Sequence, residues 1–394
     1  MLACDSSRKG RSGYEEFVLV HGWRRRTGKY MLRAALIGFP STGKTTLFQL
    51  MTAAREQTRA HGRGEATIGI SKVPDSRLDR LTAMFNPRRR VPATVEFADI
   101  GGTATGSAQA LVDVAAYRNA DALVHVVRAF RDASVPHVSG SVDPARDAQA
   151  MEDELILADL GVAERRLERL EKDLKKTRTA DLERERDVMV RCKEALEAGT
   201  PLRALDIAGD DLKRLRGFQF LSAKPLLVVI NLDEADVTAV GSDVSRAAEA
   251  TGLGPILSRA ATRAAPLCAK IELEIAELEP ADAASFLSDL GLQESGLDRV
   301  IRATYDLLGY MSFFTVGEDE CRAWSIPRGT IAQLAAGEIH SDIARGFIRA
   351  EVVAYQPLVT RGSMAACRDH GEVRLEGKEY VVADGDIINF RFAT

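Results

Sequence analysis

Short, mainly apolar runs alternate along the chain with longer segments of helical spacing. The runs at 32–37, 121–130 and 226–230 are nearly continuous in apolar residues, which is typical of parallel strands buried on both faces. The segment 93–102 instead alternates between apolar and polar residues, which also favours a strand. Strands that alternate with helices predict an α/β fold with a mostly parallel sheet and a ligand at the carboxyl ends of its strands.

Two regions depart from this alternation. Between 147 and 217 the chain is charge-rich, and its apolar residues are spaced three and four apart, typical of a coiled-coil seam: Leu160, Ala163, Leu167, Leu170 and Leu174. A second helical segment at about 181–198 follows, so we expect an antiparallel helical hairpin, an arm that extends about 45 Å for thirty residues. From about residue 305 the composition is β-rich, and Asp384-Gly385-Asp386 indicates a turn between two strands.

A phosphate-binding motif follows the first strand directly. Gly38-x-x-x-x-Gly43-Lys44-Thr45 precedes a segment of helical composition, which is the strand, loop and helix context of a P-loop. The backbone N–H groups of 41–46, which are Ser41, Thr42, Gly43, Lys44, Thr45 and Thr46, are expected to surround the phosphates at a helix N-terminus. Lys44 would neutralise the β/γ-phosphates, and the Thr45 hydroxyl would bind Mg²⁺.

Two later strands end in residues that suit the same site. Asp99-x-x-Gly102 ends one of them, and we expect Asp99 to hold Mg²⁺ and the Gly102 N–H to face a γ-phosphate. Asn231-Leu232-Asp233-Glu234 ends another, where a guanine-reading protein would carry Asn-Lys-x-Asp. Glu234 has a longer side chain than the Asp of that motif, so its carboxylate is placed differently and could suit adenine, which lacks the N2 donor of guanine. The residues alone do not decide which base is bound.

The composition limits the function classes. The net charge is −4, hydrophobic residues make up 45 % and charged residues 28 %, so the chain as a whole has no strong attraction for nucleic acid. The five cysteines are scattered, which suits a reducing cytosol. No apolar stretch reaches the ~18 residues of a membrane helix. We therefore expect a cytoplasmic protein with neither a membrane nor DNA as partner.

The ordered motifs resemble those of the YchF or Obg-like ATPases, a family in the Obg branch of the translation-factor-related P-loop NTPases. The resemblance spans 31–394 and includes "KVPDSRLDRL", "HVVRAF", "NLDE", "CAKIELEIAEL" and "SGLDRVIRATYDLLGYMSFFTVGEDECRAWSIPRGT". It implies that ATP is preferred over GTP and that Asn231, Leu232 and Glu234 surround adenine. Cys268, Ala269 and Lys270 would form a second loop at the base. The C-terminal segment resembles a TGS domain, a small β-grasp module.

Combined with the motifs, this resemblance defines the expected domains. Residues 1–30, with mixed charge, are expected to be a disordered leader or the product of an upstream start rather than a basic targeting arm. The remaining boundaries place a P-loop nucleotide-binding domain at 31–145 and 218–282, a coiled-coil arm at 146–217, a linker helix at 283–304 and a TGS-like domain at 305–394.

The switch regions depart from the family pattern. Thr67 is the nearest candidate for the switch threonine on Mg²⁺, and Thr103 occupies the position where Ras-like proteins carry a water-orienting Gln. His137 matches a histidine that the family is thought to use in hydrolysis, and a neutral imidazole could position water. The alternative is a histidine satisfied within its loop. His125 is interpreted as a core histidine within a strand.

The function that follows is a Mg²⁺-dependent switch of the YchF type that hydrolyses ATP slowly. Its arm and TGS-like domain would contact the ribosome, ribosomal RNA or ribosomal protein, and the chain is expected to be a monomer. One alternative is a GTPase of the Obg type. Another is a nucleotide-dependent RNA- or ribosome-binding module with negligible turnover. It is favoured by the second switch, where "TATGSAQA" is shorter than the family's segment and lacks its Gly-rich stretch.

Overall fold

The computed structural model describes residues 32–52, 66–99, 115–207 and 209–393. The leader, Gly102 and Thr103 lie outside the described residues. The strands are β1 (Arg33–Ile37), β2 (Thr67–Lys72), β3 (Arg89–Val91), β4 (Thr94–Asp99), β5 (Ala122–Arg128), β6 (Leu226–Asn231), β7 (Thr262–Leu267), β8 (Tyr310–Thr315), β9 (Glu320–Pro327), β10 (Phe347–Val353), β11 (Arg374–Glu376) and β12 (Ile387–Phe392).

The α-helices are α1 (Lys44–Thr52), α2 (Ser76–Phe85), α3 (Ala115–Asn119), α4 (Pro144–Lys176), α5 (Ala180–Glu197), α6 (Gly209–Leu215), α7 (Glu234–Val240), α8 (Val244–Thr251), α9 (Gly254–Leu257), α10 (Ala269–Glu277), α11 (Pro280–Asp289), α12 (Gly296–Leu307), α13 (Ala332–Ile339), α14 (Ser341–Arg345), α15 (Tyr355–Arg361) and α16 (Met364–Asp369). Short 3₁₀ turns occupy Leu202–Ala204 and Arg216–Phe218. None of the helices in the described ranges is both long enough and apolar enough to cross a membrane.

The first compact unit contains a six-stranded sheet in the order β2-β4-β1-β5-β6-β7. Strand β1 pairs in parallel with β4 and with β5. The pairs β5–β6 and β6–β7 are also parallel. Strands β5 and β6 are buried along their whole length, which explains their nearly continuous apolar sequence. The predicted α/β class with a mostly parallel sheet is confirmed.

Helices α4 and α5 form the predicted antiparallel hairpin. Asp143 caps the N-terminus of α4 and Pro144 begins it, while Thr179 caps α5 after a short turn. Apolar residues of both helices make a separate core that includes Ala163, Leu170, Met189, Cys192 and Leu196. The 33 residues of α4 extend about 50 Å. Its first turns, however, pack Ala148, Met151 and Leu155 into the core of the sheet, so only its distal part forms the arm.

Buried polar groups attach the hairpin to the sheet. The Asp159 carboxylate accepts the backbone N–H groups of Leu221 and Ser222 at 2.8 and 2.6 Å, and burial raises the pKa of Asp159 to about 6. The Arg203 guanidinium donates to Glu152 at 2.7 Å, and both side chains are almost completely buried. These contacts fix the base of the arm because each buried charge keeps a partner.

The second compact unit contains residues 72–95 and 308–393 among those described. Its sheet has the order β11-β10-β12-β8-β9-β3, and the helix α13 contributes to its core. This arrangement is consistent with the expected TGS-like β-grasp domain. Residues 72–95 fall within the predicted range 31–145, but the structure groups them with the C-terminal unit. The reason is that Arg89–Val91 pairs in parallel with residues 320–322 of β9.

Candidate nucleotide-binding site

The phosphate loop connects β1 to α1 at the carboxyl edge of the sheet. Gly38 and Gly43 have positive φ values of 142° and 96°, a region that side chains rarely adopt. A Cβ atom on Gly38 would lie 2.5 Å from the Val126 carbonyl oxygen, and one on Gly43 would lie 2.7 Å from Nδ2 of Asn231. A side chain at either glycine would therefore clash with a neighbouring residue as well as strain the backbone.

Lys44 lies at the first position of α1, beneath this loop. Its ammonium donates to the Phe39 carbonyl oxygen at 2.6 Å. Burial lowers the pKa of Lys44, and the nearby Asp99 carboxylate partly offsets this effect. A cation held by its own loop at a helix N-terminus is suited to neutralising phosphate oxygens.

Thr45 and Asp99 lie together, as the magnesium prediction requires. The Thr45 hydroxyl donates to Oδ2 of Asp99 at 3.0 Å, and Asp99 is buried at the end of β4. A hydroxyl and a carboxylate are hard oxygen ligands of the kind that Mg²⁺ prefers, and this cation commonly completes its shell with phosphates and water. The donor set therefore fits Mg²⁺. In the part of the chain that the structure describes, no cluster of three or more His, Cys, Asp or Glu residues suggests a different metal site.

Asn231, at the end of β6, connects the phosphate loop to the loop after β7. Its Nδ2 donates to the Thr42 carbonyl oxygen and its Oδ1 accepts from the Ala269 N–H, both at 3.0 Å. Asn231 is buried, as is Leu232, which follows it. The structure thus brings together three segments that the sequence assigned to one nucleotide site.

The Glu234 carboxylate, on the first turn of α7, forms an ion pair with Lys270 on α10. Both side chains are at least half exposed, and the hydrogen bond that Lys270 donates to Glu234 raises the pKa of Lys270. Cys268 precedes α10 and is buried, which raises the pKa of its thiol. The predicted base loops are therefore joined by an ion pair that the motifs did not indicate.

The two histidines of interest have different surroundings. His125 lies within β5, is 2 % exposed, and has a pKa lowered to about 3 by burial and by Lys44. His137 lies in the loop after β5, where Nδ1 accepts the Ser139 N–H at 3.1 Å and Nε2 lies 2.8 Å from Oδ2 of Asp147. His125 is thus a core residue, whereas the hydrolytic role of His137 stays a prediction.

Thr67 is the first residue of the edge strand β2. Two residues later, Gly69 is so close to Thr52 that a Cβ would lie 2.4 Å from its side chain, and the Ser71 hydroxyl donates to the Met51 carbonyl at 2.6 Å. These contacts involve the last turn of α1, roughly 10 Å along the helix from Thr45. The proposed role of Thr67 on Mg²⁺ stays a prediction.

Comparison with known proteins identifies the family. The protein named ribosome-binding ATPase YchF from Bacillus subtilis (strain 168) is 42 % identical over 367 residues, which cover 92 % of this chain and 99 % of the relative. The chain belongs to the YchF family. A YchF of the same name from Escherichia coli O157:H7 is 37 % identical over 369 residues, covering 91 % of this chain and 99 % of the relative.

Structure and domain comparisons agree with this YchF assignment. A solved structure described as the Schizosaccharomyces pombe YchF GTPase has a TM-score of 0.77 and 29 % identity, and the match covers 93 % of this chain and 99 % of that one. The family model YchF-GTPase_C, described as a protein of unknown function (DUF933), matches residues 310–393. The names of these YchF proteins differ over ATP and GTP, so the choice of base must be argued from the site.

Proposed function

We propose that this chain is a cytoplasmic, Mg²⁺-dependent ATPase switch that hydrolyses ATP slowly, in preference to GTP, and acts on the ribosome. The observation that carries the proposal is the Asn231 side chain, which joins the phosphate loop to the loop at 268–269. This side chain would join the groups that bind phosphates to those that face a base. Relatives named ribosome-binding ATPases support the same function.

The residues around the phosphates would divide the chemistry. The N–H groups of 41–46 would hold the phosphates, and Lys44 would neutralise charge on the β/γ-oxygens. Thr45 and Asp99 would bind Mg²⁺, with Thr67 as a further ligand, and the bound ion would stabilise charge that develops on the transferred phosphoryl group. Gly102 would donate to the γ-phosphate, and His137 would orient the attacking water.

Adenine is favoured because of the surroundings of Glu234. A guanine-reading carboxylate must accept from two donors of the base, whereas the Glu234 carboxylate is already paired with the Lys270 ammonium. Leu232 is buried and occupies the position at which a guanine-reading protein carries a lysine. The loop therefore has no lysine side chain packed over it. Adenine carries a single amino donor, so it requires fewer hydrogen bonds from the Glu234 carboxylate than guanine does.

Calorimetric titration with Mg·ATP and Mg·GTP tests the choice of base. We expect ATP to bind at least about tenfold more tightly, a difference of about 1.4 kcal/mol. Glu234→Asp should reduce the ratio because the shorter carboxylate changes both its reach and its pairing with Lys270. Equal binding, or tighter binding of GTP, would assign the chain to the GTPase alternative.

Turnover separates an enzyme from a nucleotide-dependent binding module. In a single-turnover assay with excess protein, the wild type should cleave bound ATP slowly, and His137→Ala should cleave it more slowly still. Bound ATP that is never cleaved would favour the binding module.

Cosedimentation with ribosomes, with and without ATP, tests the proposed partner. Analytical ultracentrifugation tests the proposed monomeric state.

A further inference from the structure

The loop between β5 and α4, residues 129–143, carries His137 and is fixed at its start. The Arg128 guanidinium is buried and donates to three carbonyl oxygens, those of Phe130, Asp132 and Val135, at 3.2, 3.3 and 2.9 Å. The carbonyl oxygen of Asn231 accepts the N–H groups of residues 129 and 130 at 2.8 and 3.0 Å. The first half of the loop is therefore held against the base-facing segment by several bonds that must break together if it is to move.

The second half of the loop is held through the His137 side chain. Nδ1 accepts the Ser139 N–H, so a neutral imidazole carries its proton on Nε2, which lies 2.8 Å from Oδ2 of Asp147. The imidazole is only 4 % exposed. Nδ1 is hydrogen-bonded to the Ser139 N–H, and Nε2 is buried against the Asp147 carboxylate without an aligned hydrogen bond. Neither nitrogen faces solvent in this arrangement.

Asp147 belongs to the first turn of α4, the helix that continues into the arm. Its other oxygen, Oδ1, accepts from Nε and Nη2 of Arg146 at 2.9 and 2.8 Å, and its side chain is 7 % exposed. The carboxylate is therefore fixed to the helix. A displacement of the N-terminal turn of α4 relative to this loop would change the distance between Asp147 and His137.

We propose that Asp147 is a positioning residue that holds His137 in a latched state, and that this contact must open before His137 can orient the attacking water. The inference rests on the proposed hydrolytic role of His137. It adds a connection between the site and the arm, because the latch is attached to the helix that forms the arm. An alternative arrangement, in which Asp147 activates His137, would leave Nδ1 facing water, whereas Nδ1 accepts the Ser139 N–H and the imidazole is buried.

Chemical labelling tests the latch without relying on hydrolysis. Diethyl pyrocarbonate modifies exposed imidazoles, and His340 and His370 on the C-terminal unit are exposed internal references. In the wild type we expect His137 to be modified more slowly than both. In Asp147→Ala its modification should become about threefold faster or more, because the carboxylate that packs against Nε2 and shields it from solvent is removed.

Single-turnover hydrolysis of Mg·ATP tests the consequence. Asp147→Ala should hydrolyse ATP about threefold faster or more, and Asp147→Asn, which keeps an acceptor, should show a smaller increase. The gain should be lost in the double variant His137→Ala/Asp147→Ala. Asp153→Ala removes an exposed carboxylate of the same helix that bonds to Gln149, and it should match the wild type.

The outcomes separate the inference from the proposed function. If the wild type hydrolyses ATP and Asp147→Ala hydrolyses it at the same rate or more slowly, the latch is wrong. A damaged fold could not by itself raise the hydrolysis rate in a way that depends on His137. Rapid labelling of His137 in the wild type would likewise overturn it. If none of the proteins hydrolyses ATP while labelling shows release in Asp147→Ala, the proposed function fails and the contact stands.

Discussion

The Asn231 side-chain amide donates to the carbonyl oxygen of Thr42 at 3.0 Å, across 189 positions of sequence. The same side chain accepts the N–H of Ala269. Because Asn231 is buried, neither bond competes with bulk water, and the phosphate loop and the loop after β7 behave as one structure. The first prediction follows from these two hydrogen bonds of Asn231.

Replacing Asn231 should weaken nucleotide binding more than it affects the fold. Asn231→Ala removes two hydrogen bonds, each contributing about 1 kcal/mol, and leaves two backbone groups of the site without their partner. We expect the affinity for Mg·ATP to fall about tenfold or more, as measured by calorimetry. Asn231→Asp keeps the acceptor for Ala269 but loses the donor to Thr42, so it separates the two bonds. Wild-type affinity in both variants would contradict a bridging role.

The second prediction concerns Mg²⁺. The Thr45 hydroxyl and the Asp99 carboxylate lie 3.0 Å apart, and the proposed site needs both oxygens. Removing Mg²⁺ with EDTA should weaken ATP binding to the wild type. Thr45→Ala should bind ATP about equally with and without the metal, whereas Thr45→Ser keeps the hydroxyl and should retain the difference. If Thr45→Ala still gains affinity from Mg²⁺ as the wild type does, the hydroxyl is not a ligand.

Features encoded by neighbouring residues were predictable from the sequence. The phosphate-loop motif is local, because the positive φ values of Gly38 and Gly43 and the position of Lys44 at the start of α1 belong to one loop and its adjacent helix. The arm was predictable because Ala163 and Leu170 belong to a seam whose spacing is visible in the sequence, and both are buried as expected. In both cases the physical cause lies within a few turns of chain.

Features that depend on distant partners were not predictable in this way. Strand β3 is short and exposed, and only its pairing with β9 places it in the C-terminal unit. The family resemblance placed the segments of Glu234 and Lys270 at the same base, but nothing in either segment indicated that these two side chains form an ion pair. A charged side chain in the first turn of a helix can be solvated as readily as it is paired, so the sequence did not indicate this contact.

The third prediction concerns the base of the arm. Arg203 and Glu152 form a buried ion pair, with side chains 0 % and 1 % exposed, and Arg203 also bonds to Thr262. Arg203→Ala leaves the Glu152 carboxylate buried without its closest cation, which should lower the free energy of unfolding by about 3 kcal/mol. Urea unfolding followed by circular dichroism measures the change.

A surface ion pair provides the control for this prediction. Lys213 and Asp210 are 2.8 Å apart but mostly exposed, so Lys213→Ala should leave the unfolding midpoint unchanged. In a double variant with both Glu152 and Arg203 replaced by leucine, much of the lost stability should return, because neither charge of the pair remains buried. A loss in Arg203→Ala no larger than that in Lys213→Ala would show that the buried pair contributes little.

The last prediction concerns the pH dependence of stability and rests on His125. Its pKa is lowered to about 3 in the folded protein, by burial first and by Lys44 second, whereas a histidine in an unfolded chain has a pKa of about 6.5. Between these values the unfolded chain binds a proton that the folded protein excludes, so the free energy of unfolding falls as the pH falls through 6.5. From pH 7.5 to pH 5 this residue should account for a loss of about 2 kcal/mol. Urea unfolding of His125→Asn should show a correspondingly smaller loss over the same interval, and an unchanged loss would mean that His125 accepts a proton in the folded protein.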